Sequence, residues 1–216
     1  MKPIRYIWPG LWLPLLFLLI MWIVEIIEYI LGIRLSYLGV LPRDITGLKG
    51  VFLSPFLHGE WSHIISNSLP FFVLSAILFI AYKKVAYTVF ILIYLLTGLF
   101  VWLLARGGTF HIGASGLVYG LFGFIFFSGI FRGDMKSIAL SLIIAFFYGG
   151  MAYGVFPGKE GISWESHLMG AVSGGWLAYL FRKIDKAKQP EWMEEEELIQ
   201  EKRSFGDFIE KIDKYK

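Results

Sequence analysis

Three short runs in this chain carry side chains suited to nucleophilic and acid–base chemistry. They are His58-Gly59-Glu60-Trp61-Ser62-His63-Ile64-Ile65-Ser66-Asn67, then Gly113-Ala114-Ser115-Gly116-Leu117-Val118-Tyr119-Gly120, then His167-Leu168-Met169-Gly170, each about fifty residues from the next. A serine hydroxyl is a weak nucleophile at neutral pH and needs a base to take its proton as it attacks. A histidine suits that task because its ordinary pKa lies near neutrality. A single serine in an apolar segment usually bonds its own backbone or eases helix packing. The chemical reading of Ser115 therefore depends on whether the three runs can meet.

The elements that must bring them together are membrane-spanning. Of the 216 residues, 56% are apolar and 17% charged, where a soluble domain is nearer half apolar and a quarter charged. The apolar excess lies in six long runs, near Leu11–Ile33, His63–Tyr82, Val85–Leu104, Ser115–Phe131, Ser137–Phe156 and Ser163–Phe181. Each approaches the roughly 20 residues needed to cross a hydrocarbon core of roughly 30 Å. The first run lacks a small-residue cleavage site and reads as an anchor that stays. The chain has no cysteine, so no disulfide framework or thiolate metal site is expected. Its net charge of +3 is too small and scattered to imply nucleic acid.

Charge sets the orientation. Lys2 and Arg5, Lys83 and Lys84, Arg132 and Lys136, and Arg182, Lys183, Lys186 and Lys188 fall on one side; Arg34, Arg43, Lys49, Arg106 and Lys159 fall on the other. The positive-inside bias puts both termini in the cytoplasm and Ser115 toward the outer face. The expected division is an amino-terminal segment 1–10, a six-span domain 11–183 and a charged cytoplasmic tail 184–216. The first outer loop, about Arg34 to Ser62, is long and too apolar for disorder, so short helices partly in the outer leaflet are expected. The tail carries Glu191 and Glu194 to Glu197 and ends in a stretch, Phe208 to Ile212, that reads as a short amphipathic helix.

Pattern also constrains the site. The fourth span is short, so the Gly107-, Gly108- and Gly113-bearing loop before it must descend to meet it, as covering protein or a water-filled cavity allows. Ser115 then stands at a helix N-terminus, where unpaired N–H groups can hold a developing oxyanion. Gly116, Gly120 and Gly123 give that helix a bare face, and Gly170 and Gly174 do the same beside His167. Close packing of the two faces would bring Ser115 and His167 within reach; the alternative is an ordinary glycine-rich contact with His167 as an interface residue. His63 and Asn67, four apart, share a helix face. For His58 a structural role, bonding loop carbonyls, is preferred. Glu25 and Glu28 are expected to hydrogen-bond the first loop, His111 to sit at the cavity rim, and Glu165 to be an interface residue.

The pattern His58-x4-His63-x3-Asn67, Gly113-x-Ser115-Gly116-x2-Tyr119 and His167-x2-Gly170-x3-Gly174, on the second, fourth and sixth spans, resembles the rhomboid family of intramembrane serine proteases. The resemblance covers about residues 10 to 183. It implies an all-α, six-transmembrane-helix bundle with Ser115 as nucleophile and His167 as general base. It further implies that His63 and Asn67 help the Ser115 N–H stabilise the oxyanion, and that Tyr119 packs on His167. By the same analogy Met151, Tyr153 and Phe156 could contribute to a lateral gate. One departure stands out: many members carry a Trp-Arg pair in the first loop where this chain reads Leu48-Lys49-Gly50-Val51, which bears on loop rigidity.

The implied function is a Ser-His dyad endopeptidase of the inner membrane, opening outward and cutting single-span membrane proteins within the lipid bilayer. It would need no cofactor and no metal. The alternative is a rhomboid-like protein that binds membrane clients without cutting them, although relatives of that kind generally lack the serine or histidine. A metalloprotease helix requires His-Glu-x-x-His, and His58-Gly59-Glu60-Trp61-Ser62-His63 has the wrong spacing. The Gly-x-Ser-x-Gly elbow fails because position 117 is Leu117. No internal repeat or paired broken span points to a transporter.

Overall fold

The computed structural model describes residues 8–158 and 163–187, with Ile199, Lys202, Arg203 and Phe205 of the tail. Most of the expected amino-terminal segment, Lys159 and nearly all of the charged tail, including the expected helix at 208–212, lie outside the described residues. The chain divides into two units, Met1–Lys186 and Ala187–Lys216.

The first unit is all-helical. Its long helices are α1 (Trp8–Leu31), α3 (Trp61–Ala81), α4 (Ala86–Leu104), α5 (Ser115–Arg132), α6 (Met135–Tyr148) and α7 (Trp164–Leu180), with a four-residue α2 (Gly50–Leu53) in the first loop. Among the described residues, five segments are long and apolar enough to cross a membrane: those of α1, α3, α4 and α5, and Met135–Val155. The chain is an integral membrane protein. At 17 residues, α7 is the shortest of the expected six spans apart from the regular part of α6, and it stands as a candidate by its position rather than its length.

α5 is the interior helix. Thirteen of its 18 residues are buried, against three of 14 in α6. It packs on α7, α6, α3 and α4, while α1 lies against α3. The α5–α7 contact is backbone on backbone: a Cβ on Gly170 would overlap the Gly116 carbonyl, and one on Gly174 the Gly120 carbonyl. Glycine removes the side-chain layer that otherwise holds helix axes 8–10 Å apart.

The fifth expected span, Ser137–Phe156, is not one regular helix. α6 ends at Tyr148 and a 3-10 turn, Gly149–Val155, continues it. The adjacent Gly149 and Gly150 weaken the α-helix there, and the tighter turn redirects the backbone carbonyls beyond it.

The first loop forms 3-10 turns at Ser36–Leu38, Ile45–Lys49 and Ser54–Phe56 around α2. Three sets of contacts are among those that fasten it. Arg43 Nη1 donates to the Ala105 and Leu103 carbonyls (2.7 and 3.4 Å) at the end of α4, where a cation is favoured. Trp102 Nε1 donates to the Asp44 carbonyl (2.8 Å) and accepts with its own carbonyl from Arg43 N–H (2.8 Å). Glu28 accepts from Leu35 N–H at 2.5 Å, the loop bond expected of it; Glu25 is equally buried. An arginine in the loop and a tryptophan on α4 therefore give the loop the anchorage that the missing Trp-Arg pair had put in question.

Candidate active site

Ser115 is the first residue of α5 and Ala114 its N-cap. The chain reaches that point through Gly113, at φ +105°, where a side chain would be strained. A Cβ there would also lie 2.7 and 2.8 Å from His63 Cε1 and Nε2, and 3.8 Å from Asn67 Nδ2. Glycine thus lets the loop backbone come up against the His63 ring. The loop is tied to the first loop as Gly113 N–H donates to the Ser54 carbonyl (2.8 Å).

His167, one turn into α7, places Nε2 2.9 Å from Ser115 Oγ. Its Nδ1 lies 2.9 Å from the Gly154 carbonyl oxygen. A carbonyl only accepts, so the proton sits on Nδ1 and Nε2 presents its lone pair to the serine hydroxyl. Tyr119, one turn along α5, stacks on the imidazole with ring centres 4.1 Å apart and planes 4° apart. Its hydroxyl donates to the Met151 carbonyl (2.8 Å). Ser115, Tyr119 and His167 are all buried, each 8% exposed, so the bond between serine and histidine is little screened by water.

Asn67 is buried on α3 and His63 partly so, one turn apart at the same end of that helix. Asn67 Nδ2 lies 3.2 Å from His58 Nε2, and Ala114 N–H donates to that nitrogen at 3.4 Å. His58 is hydrogen-bonded to the Phe56 backbone, the loop role its sequence context suggests, but its Nε2 does more. It accepts from both neighbours and ties the α3 amide to the N-cap of α5. It does so as a neutral ring: burial, and secondarily nearby His63, push its pKa down to about 3. The His63 ring meets His58 edge-on at 4.9 Å, and among the described residues its side chain makes no hydrogen bond to protein.

His111 is a loop residue that lines a cavity with Ser54, Gly113, Gly116 and Ser166 and is itself 3% exposed. Glu165 is likewise buried, and its carboxylate lies 3.3 Å from Arg106 Nε. Among the described residues, no three His, Cys, Asp or Glu side chains converge as a metal-ion set would. The structure thus brings Ser115, His167, Tyr119, His63 and Asn67 to one place, and adds two residues that sequence reasoning does not put there. Gly154 contributes through its carbonyl, and its only sequence signal is the glycine-rich break after α6. His58 contributes through position, which motif order alone does not specify.

A family model described as Rhomboid domain matches residues 46–184. An uncharacterized protein of Mycobacterium tuberculosis is 37% identical over 174 residues, which span 77% of this chain and 72% of that one. An uncharacterized protein of Mycobacterium bovis matches to the same extent. An uncharacterized protein of Mycobacterium leprae is 32% identical over 77% of this chain and 69% of its own.

Proposed function

We propose that this chain, which belongs to the rhomboid family, is an intramembrane serine endopeptidase working through a Ser115–His167 dyad. The observation that carries the reading is the pair of bonds on one imidazole, Nε2 to Ser115 Oγ and Nδ1 to the Gly154 carbonyl, each 2.9 Å. Together they put an accepting nitrogen against the serine hydroxyl, the ground state that general-base attack requires.

The steps follow from those positions. Ser115 Oγ attacks the scissile carbonyl carbon as its proton passes to His167 Nε2. The imidazolium is stabilised by the Gly154 carbonyl at Nδ1 and by the face of Tyr119. Charge on the former carbonyl oxygen is met by first-turn N–H groups of α5, by His63 and by the amide N–H that Asn67 does not give to His58. His167 then protonates the leaving amine, and the acyl-enzyme forms as the C–N bond breaks. Water enters with His167 again as base, and Ser115 is released as the ester is hydrolysed.

In this reading α7 is the sixth span, residues 11–183 form the protease domain, and segments 1–10 and 184–216 are cytoplasmic. The site opens toward the outer face of the inner membrane. Substrates are single-span membrane proteins whose helix unwinds into the cavity. The test is covalent labelling with a fluorophosphonate probe. Wild type is expected to label, and Ser115→Ala and His167→Ala are not. Equal labelling of all three would overturn the dyad and leave the client-binding alternative.

A further inference from the structure

Two histidine–serine bonds, not one, join the loop ending at Ser115 to the start of α7. Ser115 and His167 are 52 residues apart, and so are His111 and Ser163. His111 Nδ1 lies 2.5 Å from Ser163 Oγ. The second bond thus stands four residues before the dyad on both segments, with donor and acceptor exchanged between them. We propose that His111 is a positioning residue: by holding Ser163, the N-cap of α7, it fixes the axial register of α7 and so the approach of His167 to Ser115. The proposal rests on the catalytic reading of that dyad.

His111 is itself held by its backbone and its ring. Its backbone pairs with Val40 in both directions, His111 N–H to the Val40 carbonyl at 2.8 Å and Val40 N–H to the His111 carbonyl at 3.0 Å. Its Nε2 lies 3.2 Å from the Arg106 carbonyl. That carbonyl can only accept, so Nε2 carries the proton and Nδ1 accepts from the Ser163 hydroxyl. Burial holds the ring in the neutral form this requires, with Arg106 and Glu165 as the charges facing it.

Ser163 carries the constraint to the base. Its Oγ accepts from Ser166 N–H (3.4 Å) and pairs with Ser166 Oγ (2.6 Å). Its carbonyl accepts from both Ser166 N–H (3.1 Å) and His167 N–H (3.4 Å). Fixing Ser163 therefore fixes the backbone of His167. A tie of this kind is needed because the bare glycine faces set how close α5 and α7 come but offer few side-chain ridges to stop sliding. A slip of one residue would move α7 by about 1.5 Å and turn it by about 100°, enough to break the dyad. A further polar contact at this end, Arg106 Nε with Glu165 at 3.3 Å, has a half-exposed cation.

The test compares His111→Ala, His111→Asn, Ser163→Ala and the His111→Ala/Ser163→Ala pair by cleavage of a membrane-segment peptide, with thermal stability measured alongside. His111→Ala is expected to lower kcat about tenfold to a hundredfold with KM little changed, because misplacement by about 1 Å can cost that much. Asparagine, whose side-chain carbonyl can accept where Nδ1 does, should recover most of the loss. The double variant should be no worse than the poorer single. Wild-type kcat in His111→Ala would overturn the proposal, as would a loss that tracks stability, is not recovered by asparagine and adds to that of Ser163→Ala. If wild type neither cleaves nor labels, the catalytic reading fails by itself. The positioning claim is then read from the His167 Nε2 signal in nitrogen-15 spectra of the four-histidine protein. A shift in His111→Ala matching that in Ser115→Ala upholds it, and an unmoved signal refutes it.

Discussion

Tyr119 and His167 lie face to face, their ring centres 4.1 Å apart and their planes within 4°. The tyrosine covers one side of the imidazole while the Gly154 carbonyl fixes its edge. Orientation of the imidazole, which a carboxylate supplies in soluble triads, is here divided between an aromatic face and a backbone oxygen.

Substitutions at Tyr119 should separate those contributions. Tyr119→Phe keeps the stack and loses only the hydroxyl bond to Met151, a net term of about 1 kcal/mol; kcat should fall by a few-fold at most. Tyr119→Ala removes the covering face and should lower kcat by about tenfold or more. Equal losses in steady-state kinetics would show that the stack contributes nothing.

The α5–α7 contact predicts sharp intolerance at Gly174. A methyl group there meets the Gly120 carbonyl and, at 2.7 Å, the Phe124 nitrogen, both backbone atoms that cannot rotate aside. Gly174→Ala should destabilise the protein by about 1–3 kcal/mol or more and abolish activity as the helices part. Gly149→Ala, with nothing within 4 Å of the added Cβ and a helical φ of −58°, is the control and should keep wild-type thermal stability. Two variants of equal stability would contradict this packing.

Asn67→Ala removes one proposed oxyanion donor together with the partner of His58. The expected result is a fall in kcat of about 10²–10³ with little change in KM, since the oxyanion exists only beyond the ground state. A change confined to KM would place Asn67 in substrate binding instead.

His58 makes stability depend on pH. Its ordinary value is 6.5 and its folded value about 3, so between these the unfolded chain binds the extra proton. Stability is full above pH 6.5 and falls as pH drops toward 3, by at most about 1.4 kcal/mol per pH unit. Thermal unfolding in detergent at pH 7 and pH 4.5 should show a smaller difference in His58→Gln than in wild type. Identical differences would rule His58 out as the source.

Much of this was legible before any fold was known. The proposed nucleophile, the proposed base and the α3 pair each carry a local signature: a serine ahead of a glycine face, a histidine ahead of another, and two polar residues one turn apart. The length and hydropathy of an apolar run are local properties, and they made α3, α4 and α5 readable to within two residues. The end of α6 was not, because hydropathy reads a glycine-rich 3-10 turn and an α-helix alike.

The sequence by itself determined which atoms are available: one serine at a helix start, four histidines, two glycine faces and spans to carry them through a membrane. Only tertiary structure decided what each histidine does. His167 meets the serine, His63 lines the loop, His58 joins α3 to the N-cap of α5, and His111 holds the cap of α7. Spacing along one helix follows from 3.6 residues per turn, whereas contacts across 52 residues depend on how deeply two helices interlock. That depth is set where side chains are absent, at Gly116, Gly120, Gly170 and Gly174, and by carbonyls such as that of Gly154 that every residue possesses.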